Sequence, residues 1–197
     1  MAKVSGLKEK LHMPLYDAFY VAKEDTFKGR MKDPRVIRFF VDVQNKTRLD
    51  TNLQASGVLP SMNSYEAHAL RVVASNFKDT TIEVANEEIT FTGDDLLTKL
   101  IYNSVTTLLV GEKIMIEVPT FWFPAGAGVN SPGTTYSHGQ PDPMATFRFA
   151  EPVFIEPQQN FRVEISFPSD LPEELKEVSG PLRIWVVLDG YLTRDVQ

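Results

Sequence analysis

Strict alternation of apolar and polar residues constrains this chain more than any other feature. The clearest run is residues 161–167, Phe-Arg-Val-Glu-Ile-Ser-Phe, in which every second residue is apolar. Because side chains of a strand alternate between the two faces of a sheet, one face of this segment is dry and the other is polar. The run predicts a half-buried β-strand whose polar face meets either water or another subunit.

Similar strand signals recur along the chain and are separated by turn residues. In residues 36–43, Ile37, Phe39, Val41 and Val43 share one predicted face. The other strand candidates are residues 65–75, 80–84, 89–91, 106–110, 113–118, 146–149, 152–155 and 182–191.

One short helix is predicted at about residues 94–104, where leucines recur at helical spacing and Thr92 or Asp94 can serve as the N-cap. Strands without α/β alternation favour an all-β antiparallel sandwich or barrel. The loops at 45–63 and 124–143 are long for an immunoglobulin-like domain. We therefore expect a single jelly-roll β-sandwich of about eight antiparallel strands.

The charge is unevenly distributed along the 197 residues, whose net charge is −6. Residues 1–33 carry seven Lys/Arg and five Asp/Glu, and we interpret them as an irregular basic arm that precedes a jelly-roll domain at 34–197. The arm is either a solvated segment or a contact with a neighbouring subunit, nucleic acid or anionic lipid. Its candidate contact residues are Lys3, Lys8, Lys10, Lys28 and Arg30.

The acidic balance of the remainder disfavours a specific nucleic-acid site. No stretch approaches the roughly 18 apolar residues that span a bilayer, and the N-terminus lacks the apolar core of a secretory signal. We therefore expect synthesis in the cytoplasm.

Residues that carry catalytic chemistry are not grouped in the sequence. There is no cysteine, and His12, His68 and His138 are isolated, without metal-ligand spacing. The glycines of residues 128–135 have phosphate-loop spacing, but Thr134 stands where the required lysine belongs. We expect no metal, no cofactor and no enzymatic activity. A hydrolase or cupin-like enzyme with an unusual site remains a third hypothesis.

An aromatic run opens the long loop after residue 120. In one interpretation it forms a stacking platform for a glycan or a protein partner, because aromatic rings present flat apolar faces. In the other, Phe121 and Phe123 face the core while Trp122 covers a sheet edge. The candidate contact residues are Phe121, Trp122, Phe123, Tyr136 and His138.

Three stretches together resemble a known family. They are residues 45–60, residues 119–149 with their Phe-Arg-Phe ending, and residues 152–161 with the pattern Pro-Val-Phe-Ile-x-Pro-x-x-Asn-Phe. Over roughly residues 35–193 the chain resembles single jelly-roll capsid proteins of tailless icosahedral double-stranded DNA viruses. Within that group it resembles especially the small capsid proteins of membrane-containing phages of thermophiles and their archaeal relatives.

The resemblance implies a structural virion protein that self-associates through dimers or higher capsomers into an icosahedral shell. It also implies contacts with other virion proteins, location in the virion after assembly in the host cytoplasm, and no cofactor. The basic arm would reach a neighbouring subunit or an inner viral membrane. The alternative function is a carbohydrate- or receptor-binding jelly roll that uses the 121–143 loop.

Overall fold

The computed structural model describes residues 7–75, 77–84, 86–124, 129–130, 137–138 and 146–195. These residues are mostly β, which confirms the all-β prediction. The strands are β1 (Lys8–His12), β2 (Leu15–Val21), β3 (Val36–Phe39), β4 (Ser64–Ala74), β5 (Thr80–Val84), β6 (Glu87–Phe91), β7 (Val105–Val110), β8 (Lys113–Pro119), β9 (Val129–Asn130), β10 (Ser137–His138), β11 (Arg148–Ile155), β12 (Phe161–Ser166) and β13 (Leu182–Asp195). The helices are α1 (Phe27–Arg30), α2 (Gly93–Tyr102), α3 (Glu173–Lys176) and a 3-10 helix (Thr120–Trp122).

Two antiparallel sheets enclose one hydrophobic core. The larger sheet has the order β1–β13–β4–β11, with β2 also paired to β13, and the smaller has the order β3–β12–β7–β8. The core draws side chains from both sheets, including Tyr65 of β4, Ile184 of β13, Leu108 of β7 and Val163 of β12. Burial of this shared apolar surface is the main force that holds the sheets together.

The alternating segment at residues 161–167 is confirmed as a strand. β12 lies between β3 and β7, and its apolar residues are buried while its polar residues are half-buried. A strand paired on both sides satisfies its backbone donors and acceptors internally. Because side chains alternate along the strand, every second residue of β12 faces the core.

Residues 8–12 and 15–21 belong to the larger sheet, and the prediction of an arm up to residue 33 is wrong for these two segments. β1 pairs with Tyr191–Asp195 of β13, and β2 pairs with Leu182–Leu188. Pro14 separates the two strands, in keeping with the missing N–H of proline. Leu15, Ala18 and Val21 are buried, so the domain includes this segment.

The predicted strand at 36–43 is shorter than its sequence pattern. β3 ends at Phe39, because Phe40 adopts a left-handed conformation with φ 70° and turns the chain. Phe39 and Phe40 are consecutive and both fully buried, whereas Val41 is 37% exposed. A left-handed residue costs about 1–2 kcal/mol and reverses the alternation of faces.

A buried carboxylate anchors this turn. Asp17 of β2 is fully buried and accepts a hydrogen bond of 2.7 Å from the Phe40 backbone N–H. The Lys46 ammonium lies 2.8 Å from both carboxylate oxygens of Asp17. Burial raises the pKa of Asp17, and this effect exceeds the opposing effects of Lys46, the Phe40 N–H and the Thr51 hydroxyl.

The loop that follows covers the outer face of the larger sheet. Arg183 of β13 donates to Asp50 at 2.8 Å, and the indole N–H of Trp185 donates to the Leu49 carbonyl at 2.9 Å. Burial opposes ionisation of Asp50, but hydrogen bonds from Arg183 and Thr47 outweigh it and hold the pKa of Asp50 below its usual value. The polar residues of this loop therefore attach it to the larger sheet.

We expect Asp50→Asn to lower the free energy of unfolding at pH 7 by about 1.5–3 kcal/mol, the range for hydrogen bonds to charged groups. Because the folded-state pKa of Asp50 is depressed, its contribution is present above the unfolded-state pKa of about 3.9 and is lost as pH falls through the folded-state pKa. Urea unfolding at pH 7 and pH 3 should therefore show a smaller loss on acidification in the variant. Parallel pH profiles for the two proteins would contradict the assignment.

The predicted helix is confirmed as α2, which begins one residue before the predicted segment. Thr92 is the N-cap and forms a capping box with Asp95, so two backbone donors are satisfied reciprocally. Two four-residue helices, α1 and α3, are present in addition to it.

The helices of the protein lie together at one end of the molecule. Helix α3 contacts both α1 and α2, and α2 also contacts the 3-10 helix. The connection from β4 to β7 contributes the β5–β6 hairpin and α2 at this end. Among the described residues, no helix has the length and apolar character that a membrane crossing requires.

Candidate interaction surface

The 3-10 helix after β8 is fixed by buried hydroxyl groups. Thr120 is fully buried, and its hydroxyl lies 2.7 Å from that of Ser104 and 2.8 Å from that of Thr106. The Ser104 hydroxyl in turn donates to the Leu100 carbonyl at 2.6 Å. These bonds tie the helix to the end of α2 and the start of β7, so its orientation is set by the fold.

This helix decides which aromatic residues are exposed. A 3-10 helix has three residues per turn, so Thr120 and Phe123 lie on the same side. Phe123 is 1% exposed, whereas Phe121 is 45% and Trp122 is 51% exposed. The prediction that Phe123 faces the core is confirmed and that for Phe121 is wrong, because strand alternation does not continue past Pro119.

The exposed rings form a continuous patch with Tyr102 of α2 and with Phe147, which directly precedes β11. Phe121 stacks on Tyr102 with centroids 5.7 Å apart and on Trp122 at 6.1 Å. Phe147 meets Trp122 edge to face at 6.0 Å and the buried Phe123 at 5.3 Å. We define the aromatic surface as Tyr102, Phe121, Trp122 and Phe147.

Tyr102 is the member that the sequence interpretation missed. It is the last residue of α2 and is 70% exposed, and it lies 19 positions before Phe121. The signal in the sequence was the helical spacing of Leu96 and Leu100, which leaves Tyr102 off the buried face of α2. Of the other predicted contacts, Tyr136 lies outside the described residues, and the backbone of His138 in β10 pairs with Val129.

The described members of the predicted basic contacts lie on two different elements. Lys3 lies outside the described residues, Lys8 and Lys10 lie on β1, and Lys28 and Arg30 lie on α1. Lys10 is already paired with Glu66 at 2.5 Å, and Arg30 donates to the Tyr20 carbonyl at 3.1 Å.

Two histidines that are isolated in sequence meet on the outer face of the larger sheet. The ring centroids of His12 and His68 each lie 5.4 Å from that of Tyr191. The Nε2 atom of His12 lies 2.7 Å from a carboxylate oxygen of Asp189. The Nε2 atom of His68 lies 2.9 Å from a carboxylate oxygen of Glu66. A hydrogen bond from Lys10 lowers the pKa of Glu66. Both histidines lie beside Tyr191 because β1 and β4 pair with opposite sides of β13.

A groove lies where the open edges of the two sheets face each other, between β2 and β3. Its volume is about 290 Å³. We define this edge groove by the residues that line it, which include the apolar Phe19, Met31, Ile37 and Val41 and the charged Arg30, Lys32, Arg38, Asp42 and Lys46. Lys32, Arg38 and Lys46 are paired with carboxylates.

The described part of the chain contains no group of three or more His, Cys, Asp or Glu side chains arranged to hold a metal ion. Comparison with known protein families, curated proteins and solved structures finds no match. The functional argument therefore depends on the shape, exposure and charge of the surfaces described above.

Proposed function

We propose that the chain is a single jelly-roll protein. When its eight main strands (β2, β3, β4, β7, β8, β11, β12 and β13) are numbered 1 to 8 in chain order, the sheets read 1-8-3-6 and 2-7-4-5. Strands that are consecutive in sequence thus repeatedly change sheets, as in the paired Greek keys of a jelly roll. This order supports the proposal independently of the sequence resemblance.

We further propose that the protein is a structural virion protein, a capsid subunit that self-associates into capsomers and a shell. The aromatic surface carries this proposal. Exposed aromatic residues that touch one another form a contiguous apolar patch, and such patches mark interaction sites. Tyrosine and tryptophan also dominate the residues that contribute most to protein–protein affinity.

The role requires self-complementary surfaces and no reactive group. An icosahedral shell is built by repeating a few contacts between copies, and the free edges of both sheets offer unpaired backbone donors and acceptors for further contacts. β8 and β11 lie at such edges. Other virion proteins are the remaining partners in this proposal, which assigns the chain to the virion and to no catalytic step.

The double variant Phe121→Ser/Trp122→Ala should weaken self-association by at least about 30-fold, because hot-spot residues each contribute about 2 kcal/mol or more. Light scattering and electron microscopy of concentrated protein measure capsomers and shells. Met62→Ser is the matched control, because Met62 is 65% exposed and lies outside the aromatic surface. A wild-type protein that stays monomeric at high concentration contradicts the proposal.

A carbohydrate- or receptor-binding module is the second candidate. It is favoured by the near-parallel planes of Tyr102, Phe121 and Trp122, which differ by 23° and 26° and together form a platform. Sugar rings stack on such faces. Glycan-array binding that disappears in Trp122→Ala supports this candidate, whereas unchanged binding in that variant excludes the platform.

A further inference from the structure

A polar pocket lies on the outer face of the larger sheet, across four strands that are adjacent in that sheet. Its volume is about 270 Å³. Polar and aromatic side chains of β1, β4, β11 and β13 line it, namely His12, His68, Arg71, Arg148, Asp189 and Tyr191. We define the outer-face pocket by these residues. A small cavity with convergent polar groups and an aromatic wall is typical of a site for a small ligand.

The outer-face pocket has an excess of positive charge. Arg71 donates to one oxygen of Asp189 at 3.0 Å, and Nε2 of His12 lies 2.7 Å from the other oxygen. Both oxygens of Asp189 are therefore engaged by groups within the pocket. Arg148 is exposed and takes part in no ion pair among the described residues. One guanidinium is thus left without a counter-charge, in a chain whose net charge is −6.

Arg71 also carries a hydrogen-bond donor that the protein leaves unsatisfied. Among the described residues, its Nε is the one buried side-chain nitrogen or oxygen atom without a hydrogen-bond partner. Buried polar groups of native proteins are nearly always hydrogen-bonded, so this atom points to an acceptor from outside the chain. The guanidinium lines the outer-face pocket, and a turn of its plane would bring Nε to an acceptor held there.

We propose that the outer-face pocket binds a small molecule through its carboxylate or phosphate group. Arg148 is the exposed cation that attracts the oxyanion, and Arg71 turns to donate its Nε–H. The planar guanidinium matches the geometry of both oxyanions and forms charge-assisted hydrogen bonds with them. The ring of Tyr191 is 38% exposed and offers an apolar wall to the rest of the ligand. This binding does not depend on the proposed self-association.

Other classes of ligand fit the outer-face pocket less well. Two arginines repel a metal cation, and the described residues hold no cluster of metal-ligand side chains. A nucleic acid or an anionic membrane presents many charges at once, which the negative net charge of the chain disfavours. Glu66, whose carboxylate contacts His68, is balanced by Lys10 at 2.5 Å, so it does not cancel the charge of Arg148.

Titration followed by ¹H–¹⁵N NMR tests the site. The probes are glucuronate, glucose-6-phosphate and glucose, which share a sugar ring and differ in the anionic group. We expect at least one of the two anions, at millimolar concentration, to shift the Nε–H resonance of Arg71 and the backbone amides of Asp189 and Tyr191. Glucose should bind at least about 10-fold more weakly, because it lacks the charged acceptor.

The three probes also identify the anionic group. Tighter binding of glucuronate assigns a carboxylate ligand, and tighter binding of glucose-6-phosphate assigns a phosphate ligand. Equal affinity for glucose, or no shift of the Arg71 Nε–H resonance with either anion, overturns the inference. Binding of a DNA duplex or of phosphatidylserine vesicles that is lost in Arg148→Met, while the small anions do not bind, also overturns it.

Two arginine variants separate binding in the pocket from general attraction of anions. Arg148→Met should weaken binding of the anion at least about 10-fold, because it removes the unpaired cation. Arg48→Met is the matched control and should leave binding unchanged. Arg48 is also exposed and outside the ion pairs of the described residues, but it does not line the outer-face pocket. Equal losses in the two variants would overturn the inference.

Arg71→Lys tests the unsatisfied donor directly. Lysine keeps the positive charge but lacks the Nε–H and the planar fork, so we expect anion binding to weaken at least about 10-fold while Arg148 is intact. Thermal unfolding of each variant verifies that the fold is retained. Anion binding that is unchanged in Arg71→Lys would overturn the inference.

Discussion

Lys46→Met is expected to lower the free energy of unfolding by about 3–5 kcal/mol, because it leaves a buried carboxylate without its counter-charge. Asp17 is fully buried, and the Lys46 side chain is 17% exposed. Methionine preserves most of the side-chain volume, so the loss reports charge and not packing. The Phe40 N–H remains as a donor but cannot replace an ammonium group.

The pH dependence of this variant distinguishes charge from other causes. Burial already raises the pKa of Asp17, and removal of Lys46 raises it further. A folded state with the raised pKa binds the proton more tightly than the unfolded state, so the variant gains stability as pH falls toward the unfolded-state value of about 3.9. Urea unfolding at pH 7 and pH 4.5 should show the deficit shrinking on acidification.

Two further variants complete the comparison. Asp17→Asn/Lys46→Met should recover most of the loss, because a neutral amide replaces the unpaired charge. Lys32→Met removes an ion pair at the surface and should cost less than about 1 kcal/mol. A Lys46→Met protein as stable as wild type at pH 7 would show that Asp17 does not need its counter-charge.

Gly190→Ala is expected to cost roughly 3 kcal/mol, because the new methyl group collides with backbone atoms. A Cβ at residue 190 would lie 2.1 Å from the Glu66 carbonyl oxygen and 3.0 Å from the Ala67 Cα. Both atoms belong to β4, which pairs with β13 at the centre of the larger sheet. The strands must separate to admit the methyl group, and they lose hydrogen bonds when they do.

The control is Gly111→Ala, which adds a methyl group without a collision. No atom lies within 4 Å of a Cβ at residue 111, but its φ of 60° is left-handed. We expect a loss of about 1 kcal/mol from backbone strain alone. Urea unfolding of the two variants tests the difference, and equal losses would mean that the approach of β13 to β4 tolerates a side chain.

Local sequence patterns predicted β12 and α2 correctly for simple reasons. The alternation in β12 and the capping box of Thr92 and Asp95 involve residues two or three positions apart. The same reasoning failed at Phe40 and Phe121, where the backbone leaves the extended conformation and the period of two no longer applies. Neither Phe40 nor Phe121 is a proline or a glycine, the residues that most clearly mark such a change of conformation in a sequence.

The interaction surfaces were only partly predictable. The sequence predicts the run Phe121–Phe123 as a candidate contact. The stacking of Tyr102 on Phe121 depends on how α2 packs beside the 3-10 helix, which the sequence does not show. The proximity of His12 and His68 depends on β1 and β4, which lie on opposite sides of β13. Such neighbours arise from strand pairing, and pairing leaves no local signal in the sequence.

The sequence by itself determined most of the strands of the two sheets, the position of α2 to within two residues, and that the chain is a β protein without cysteine chemistry. These properties depend on residues within a few positions of one another. Only the tertiary structure decided that residues 8–12 and 15–21 join the larger sheet, that Asp50 meets Arg183 across 133 positions, and that Tyr102 stacks on Phe121. The physical reason is that long-range pairing is selected by burial of the whole core, which no single segment of sequence encodes.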